Sequence, residues 1–207
     1  VVAISEVDTR ALVRHVRGHS PYSADLICQY LRHISQWEFV RNLHNPNTWL
    51  FGGKHPLRVE AFRVEKDGKE TPLPLRNETI RMNFERGGND EWTGKIKIRL
   101  TNDFDRPLFV SLLYLSMNFQ VYGKLLSPPV VELPPGRSVW LLNGQVLELY
   151  CEPQVLVYDW KESVIHFKLI ANTEYFDVTA LEQGALPAPG SSATRDTGRA
   201  ETREEEH

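Results

Sequence analysis

Cysteine is nearly missing from this chain: Cys28 and Cys151 stand alone among 207 residues. Two are too few to frame a disulfide-built scaffold of this length, and buried free thiols are the expected fate of both. No apolar run approaches the roughly 18 residues needed to span a bilayer as a helix. The first residues, Val1-Val-Ala-Ile4, have no charged stretch ahead of an apolar core, so a secretory leader is not expected. An excess of either charge is also missing. Lys and Arg total 24 against 27 Asp and Glu, a net charge of −3, which argues against a nucleic-acid-binding domain. We therefore expect a cytoplasmic protein without nucleic-acid or membrane partners.

The usual marks of catalysis are missing too. There is no Gly-x-Ser-x-Gly elbow for a serine nucleophile. Gly52-Gly53-Lys54 lacks the rest of a phosphate-cradling loop, and no helix start follows Gly87-Gly88. Cys28 lies within a helical pattern, and Cys151 precedes Glu152-Pro153; a thiolate nucleophile would need an imidazole in contact. The pairing to check is Cys151 with His166. His15 and His19 are four apart, but Gly18 interrupts the segment and no third ligand stands nearby, so no metal site is expected. Asn89-Asp90-Glu91 and Asp103/Asp105 lack the alternation of a calcium loop, and turn chemistry explains them. No cofactor is expected.

What is there is a mainly β pattern. Val1 to Ile4 fits a short edge strand, and Asp8 to Val16 a turn or two of helix. From Ser23, a plausible N-cap, apolar residues fall at Leu26, Ile27, Tyr30, Leu31, Ile34, Trp37, Val40 and Leu43. That is the three–four spacing of one helix face, and Asn45-Pro46 ends it. A helix over about 23–44 is predicted, docked on a sheet.

From Leu57 the period becomes two. Strands are predicted at 57–64, 79–84, 95–101, 108–115, 119–126, 138–142, 146–150 and 164–170. In Lys95-Ile-Lys-Ile-Arg-Leu100 the residues Ile96, Ile98 and Leu100 should point inward and Lys95, Lys97 and Arg99 outward, one wet face of an antiparallel sheet. Those cations are either a solvated face or a surface for an acidic partner. Leu108 to Leu115 is almost wholly apolar, as befits a central strand covered on both sides. The sum is an antiparallel β-sandwich with one N-terminal amphipathic helix packed against it. The expected organisation is an N-terminal segment with the helix (1–50), a β-sandwich (51–183) and a tail (184–207). The tail has too little apolar content to fold. Partner contact is expected at Trp92, Trp37 and Trp140, through helix surface that the sheet leaves uncovered and the loops around Trp92.

Several segments carry a family likeness. Leu31-Arg-His-Ile-Ser-Gln-Trp-Glu-Phe-Val-Arg-Asn-Leu-His-Asn-Pro46 resembles a helix found downstream of the peptidase domain in bacterial caspase-like (metacaspase-related, clan CD) proteins. Leu100-Thr-Asn, Pro107 to Ser116, Leu125-Leu-Ser-Pro-Pro and Leu133-Pro-Pro-Gly136 resemble the β-rich domain of unknown function that accompanies those peptidases. His166-Phe-Lys-Leu-Ile-Ala-Asn-Thr-Glu-Tyr-Phe-Asp177 resembles its closing strand. The likeness covers about residues 24 to 183. It implies the non-catalytic C-terminal portion of such a protein, which docks on or restrains the upstream peptidase domain of the same polypeptide, or recruits another protein as substrate or sensor partner. No catalytic residue is carried over, because Gly18-His19-Ser20 is not the family's Ser-His-Gly and neither Cys has its context. The competing expectations are a ligand- or carbohydrate-binding sandwich using Trp49, Trp92 and Trp140, and a hydrolase using Cys151 and His166.

Overall fold

A computed structural model describes residues 2–5, 12–18, 20–45, 55–87, 91–151, 155–156, 159 and 161–187. The chain forms two compact units, Val1–Tyr30 with Pro187–His207, and Leu31–Leu186. The expectations for Trp49, for Asn89 and Asp90, and for most of the tail fall outside the described residues.

In the first unit, β1 (Val2–Ser5) and β2 (Leu12–Val16) form an antiparallel hairpin, with Val2 opposite Val16 and Ile4 opposite Arg14. The helical turns expected over Asp8–Val16 are thus replaced, where described, by a strand. Leu12, Val13 and Val16 are residues that suit a strand paired to Val2-Ala-Ile4. Gly18, at a φ of +91°, then turns the chain into α1 (Pro21–Asn42). Its cap is Ser20 rather than Ser23: the Ser20 Oγ accepts the Ser23 amide at 3.2 Å. Pro21 occupies the first helical position, where a missing N–H costs nothing. Ser23 instead donates its hydroxyl to the Arg17 carbonyl at 3.1 Å.

The second unit holds the rest of α1 and the sheets. The strands are β3 (Leu57–Val64), β4 (Glu70–Leu73), β5 (Leu75–Arg76), β6 (Thr79–Ile80), β7 (Glu85–Arg86) and β8 (Trp92–Asn102). They continue with β9 (Leu108–Leu115), β10 (Val121–Tyr122), β11 (Val131–Leu133), β12 (Ser138–Trp140), β13 (Leu147–Tyr150) and β14 (His166–Asn172). One sheet is built on β8, which pairs antiparallel with β3 (Ala61 opposite Ile98), with β12 and β13 (Val139 opposite Leu100, Leu147 opposite Ile96) and with β7; β4 extends it beyond β3. The other is built on β9, with β14 along one side (Ser111 opposite Ile170) and β10 and β11 along the other. Among the described residues the chain is mainly β and antiparallel, with one long α-helix, α1, near its N-terminus, as the sequence predicts.

Two apolar layers follow from the pleat. Ile96, Ile98, Leu100 and Ala61 from the first sheet pack with Leu108, Val110 and Leu112 of β9. The opposite side of β9, with Leu113 and Leu115, packs with Trp37 and Val40 of α1 and with Val121, Val130 and Val178. β9 is therefore covered on both faces, which its unbroken apolar run requires. Gly94 sits where Met82 and Phe84 cross β8: a Cβ there would lie 2.6 Å from the Met82 methyl and 3.0 Å from the Phe84 ring.

The strand predicted over 119–126 is cut to Val121–Tyr122, and that over 79–84 to Thr79–Ile80. Leu125 and Leu126 are nonetheless buried in the first core, from a loop. Their apolar character reflected burial rather than strand pairing.

Candidate functional site

The wet face of the first sheet was one of two candidate partner surfaces. Its outward side chains are arranged by the same alternation that buries Ile96, Ile98 and Leu100. Arg99 makes two hydrogen bonds to Glu60, at 3.0 and 2.9 Å. Lys97 meets Glu70 at 2.7 Å and Lys95 approaches Glu148 at 3.9 Å. Arg58 bridges Asp103 at 2.9 Å and Glu60 at 3.3 Å. These partners hold the Glu60 and Asp103 carboxyls below the usual carboxylate range, chiefly through the Arg99 and Arg58 hydrogen bonds. The acidic complement of the basic stripe is thus supplied within the chain, on the neighbouring strands and the following turn. Asp103, weighed as a calcium ligand, is likewise committed to Arg58. Among the described residues no group of three or more His, Cys, Asp or Glu side chains could hold a metal ion.

The three tryptophans separate. Trp37 is 6% exposed and belongs to the core, its ring edge-on to Phe119 at 5.5 Å and to His166 at 5.8 Å. It offers no surface to a partner, because helical spacing sets it beside Val40 on the side that faces β9. Trp140 is half-buried, tilted against Phe62 at 5.6 Å with the Arg99 guanidinium 5.1 Å from its ring centre. Trp92 is 41% exposed and opens β8. The pleat puts Trp92 in line with Ile96 and Ile98, whereas Trp140 stands opposite Arg99 on the outer side. The two rings lie on opposite faces of the sheet, so they form no shared platform for a sugar.

Cys28 is exposed on α1. Cys151 follows β13 on the first sheet, its amide donating to the Trp92 carbonyl at 2.8 Å, and His166 opens β14 on the other sheet against Trp37. Burial lowers the pKa of His166, and the charges of Arg41 and Lys168 lower it further. His33 is also depressed, mainly by burial; its Nε2 lies 3.2 Å from the Phe119 carbonyl, which also receives the Gln183 amide at 2.7 Å. Phe119 is held at a φ of +65°, and these two donors fix its peptide. Nothing in the local sequence marks this clasp.

What α1 leaves uncovered is a second apolar stripe. Leu31 and Phe39 on α1, with the polar Ser35 between them, and Leu43 just past the helix end recur at intervals of four, away from Trp37 and Val40. Leu31 is 47%, Phe39 55% and Leu43 36% exposed. Sequence periodicity had placed Leu31 and Leu43 on the buried face; Phe39 it missed altogether. The signal was available, since a helix with apolar residues on both sides has more apolar surface than one sheet can cover.

Comparison with protein-family models, with curated proteins and with solved structures returns no match. No helix among the described residues is long and apolar enough to cross a membrane.

Proposed function

We propose that this chain is a non-catalytic interaction module, the accessory part of a bacterial cytoplasmic caspase-like peptidase, docking on the peptidase domain of the same polypeptide. The observation that carries the reading is the set Leu31 and Phe39 on α1 and Leu43 just past its end, three large apolar side chains open to solvent beside a helix whose other side is anchored through Trp37 and Val40. Large apolar side chains exposed along one side of a helix are a common mark of a protein-binding site. The choice of partner rests on the sequence resemblance. The sugar-binding alternative loses support from the separation of Trp92 and Trp140, and no observation favours a Cys151–His166 hydrolase.

The test starts from the reading frame that precedes Val1. If it encodes a caspase-like peptidase domain, that domain expressed separately should bind this chain in a calorimetric titration. The double variant Leu31→Glu/Phe39→Glu should weaken binding at least about tenfold, or ~1.4 kcal/mol. Its melting temperature should stay near that of the parent, since both side chains face solvent. A preceding frame with no peptidase, or an affinity indifferent to the double substitution, overturns the proposal.

A further inference from the structure

Among the described residues, most sheet edges are blunted. β4 has four residues and contains Pro72. β11 is three residues long and runs into Pro134-Pro135. β12 and β13 are short pieces separated by the turn at Leu141–Gly144, with Leu142 and Asn143 in the left-handed region. β14 differs. It is seven residues long without proline, pairs with β9 on one side only, and every residue is partly exposed. An unpaired edge of this length presents a row of backbone donors and acceptors to an extended chain.

Its guard is a charge. Register places His166, Lys168 and Ile170 on the helix side, opposite Leu115, Leu113 and Ser111, and Phe167, Leu169 and Ala171 on the sandwich side. Lys168 is mid-strand, and burial depresses its pKa, with Glu78 the opposing influence. Burial favours the neutral ring of His166, and Arg41 is taken up by Glu38 at 2.7 Å, so Lys168 is the cation of this edge, with Glu78 as the carboxylate that acts on it. A cation at the centre of an edge strand disfavours pairing with a second copy of the same strand and favours an incoming strand that carries a carboxylate.

We propose that β14 is a strand-docking edge for an extended acidic segment of a partner protein, which adds antiparallel or parallel to β14 and sets an Asp or Glu beside Lys168. Main-chain hydrogen bonds supply affinity and the carboxylate supplies selectivity, the division of labour found in strand addition. The proposal does not depend on the helix stripe, so Leu31→Glu/Phe39→Glu should leave it intact.

The probe is a short fluorescein-labelled peptide alternating Val and Thr with a central Glu, compared with the same peptide carrying a central Lys. With the whole chain, fluorescence anisotropy should saturate for the Glu peptide at an affinity at least about tenfold tighter than for the Lys peptide. That preference should shrink as salt rises from about 0.05 to 0.5 M. Lys168→Gln should erase the preference and Lys168→Glu should reverse it, each variant being checked for folding by circular dichroism. Equal binding of the two peptides, or saturation by neither, overturns the proposal, and both outcomes are read on the unmodified chain. Sedimentation showing a dimer that Lys168→Glu dissociates would overturn it as well, by assigning the edge to a second copy.

Discussion

Asn102 shows how much one polar side chain can organise. It is fully buried at the end of β8, where its Nδ2 donates to the carbonyls of Arg106 at 2.8 Å and Leu133 at 2.7 Å. Its Oδ1 accepts the Phe104 amide at 2.9 Å, and its own backbone pairs with Arg137 and Gly136. One side chain thus pins the turn from β8 to β9 and the Pro134–Arg137 connector to the same point. Truncation leaves a buried amide and two carbonyls without partners, each costing about 1–3 kcal/mol. Asn102→Ala should therefore destabilise the chain by ~2–4 kcal/mol, read as a lower urea midpoint. Asn102→Asp should be as harmful, because a carboxylate cannot donate to either carbonyl. A midpoint within experimental error of the parent for both variants would show that water replaces the bracket. In the sequence, Thr101-Asn-Asp103 reads as turn chemistry and no more. The bonds to Phe104 and Arg106 are that turn chemistry; the bond to Leu133, 31 positions away, is what local pattern does not carry.

At the scale of elements, the seam between α1 and the β9–β14 pair contains two histidines whose burial favours the neutral ring. His33 belongs to the clasp at Phe119, and His166 lies edge-on to Trp37, facing Arg41 and Lys168, with Glu38 on the Arg41 guanidinium. Both pKa values fall on folding, so the unfolded chain binds more protons than the folded one once pH drops through the ordinary value of about 6.5. Stability is then lost as pH falls through that value, and the loss levels off below the folded-state values. The depressed carboxylates Glu60, Asp103 and Asp177 act only in the more acidic carboxylate range, which separates the two effects. Urea midpoints should fall between pH 7.5 and 5.5, and His166→Phe, which keeps the ring against Trp37, should reduce that fall. A fall of the same size in the variant would sink the assignment. These elements were largely legible beforehand. The alternation of Lys95 to Leu100 predicted β8 face by face, and the apolar run of β9 predicted burial on both sides. Of the first hairpin, β1 was legible as a short edge strand but β2 was not, because Leu12, Val13 and Val16 fall at helical spacing and only the pairing with Val2–Ser5 makes the segment a strand. The helix stripe at Phe39 was half legible: periodicity found the buried face, but which remaining apolar residues stay wet depends on how far β9 and its neighbours reach.

For the sandwich unit as a whole, the topology makes most stabilising pairs distant in sequence. β3 lies beside β8, with Leu57 opposite Asn102, and β14 closes on β9, with Asn172 opposite Phe109. The helix residue Trp37 shares its core cluster with Val178. Closing such loops costs entropy before the contacts can repay it, so non-local β folds form in milliseconds to seconds rather than microseconds. Trp37 reports on the last of these closures, since its burial needs α1, β9 and the segment around Val178 together. Refolding from urea followed by tryptophan fluorescence should therefore run on about the millisecond-to-second scale. Trp37→Phe should remove much of the fluorescence change of the main phase while lowering stability by about 1–3 kcal/mol, through the loss of buried aromatic area and the space the smaller ring leaves. Refolding complete within microseconds, or an amplitude unaffected by Trp37→Phe, would mean that α1 is not held on β9 in the way its core cluster requires. The same measurement bears on the docking proposal. If Trp37 anchors the helix, Leu31 and Phe39 are held outward as a fixed surface, and substitutions there should leave the refolding rate unchanged.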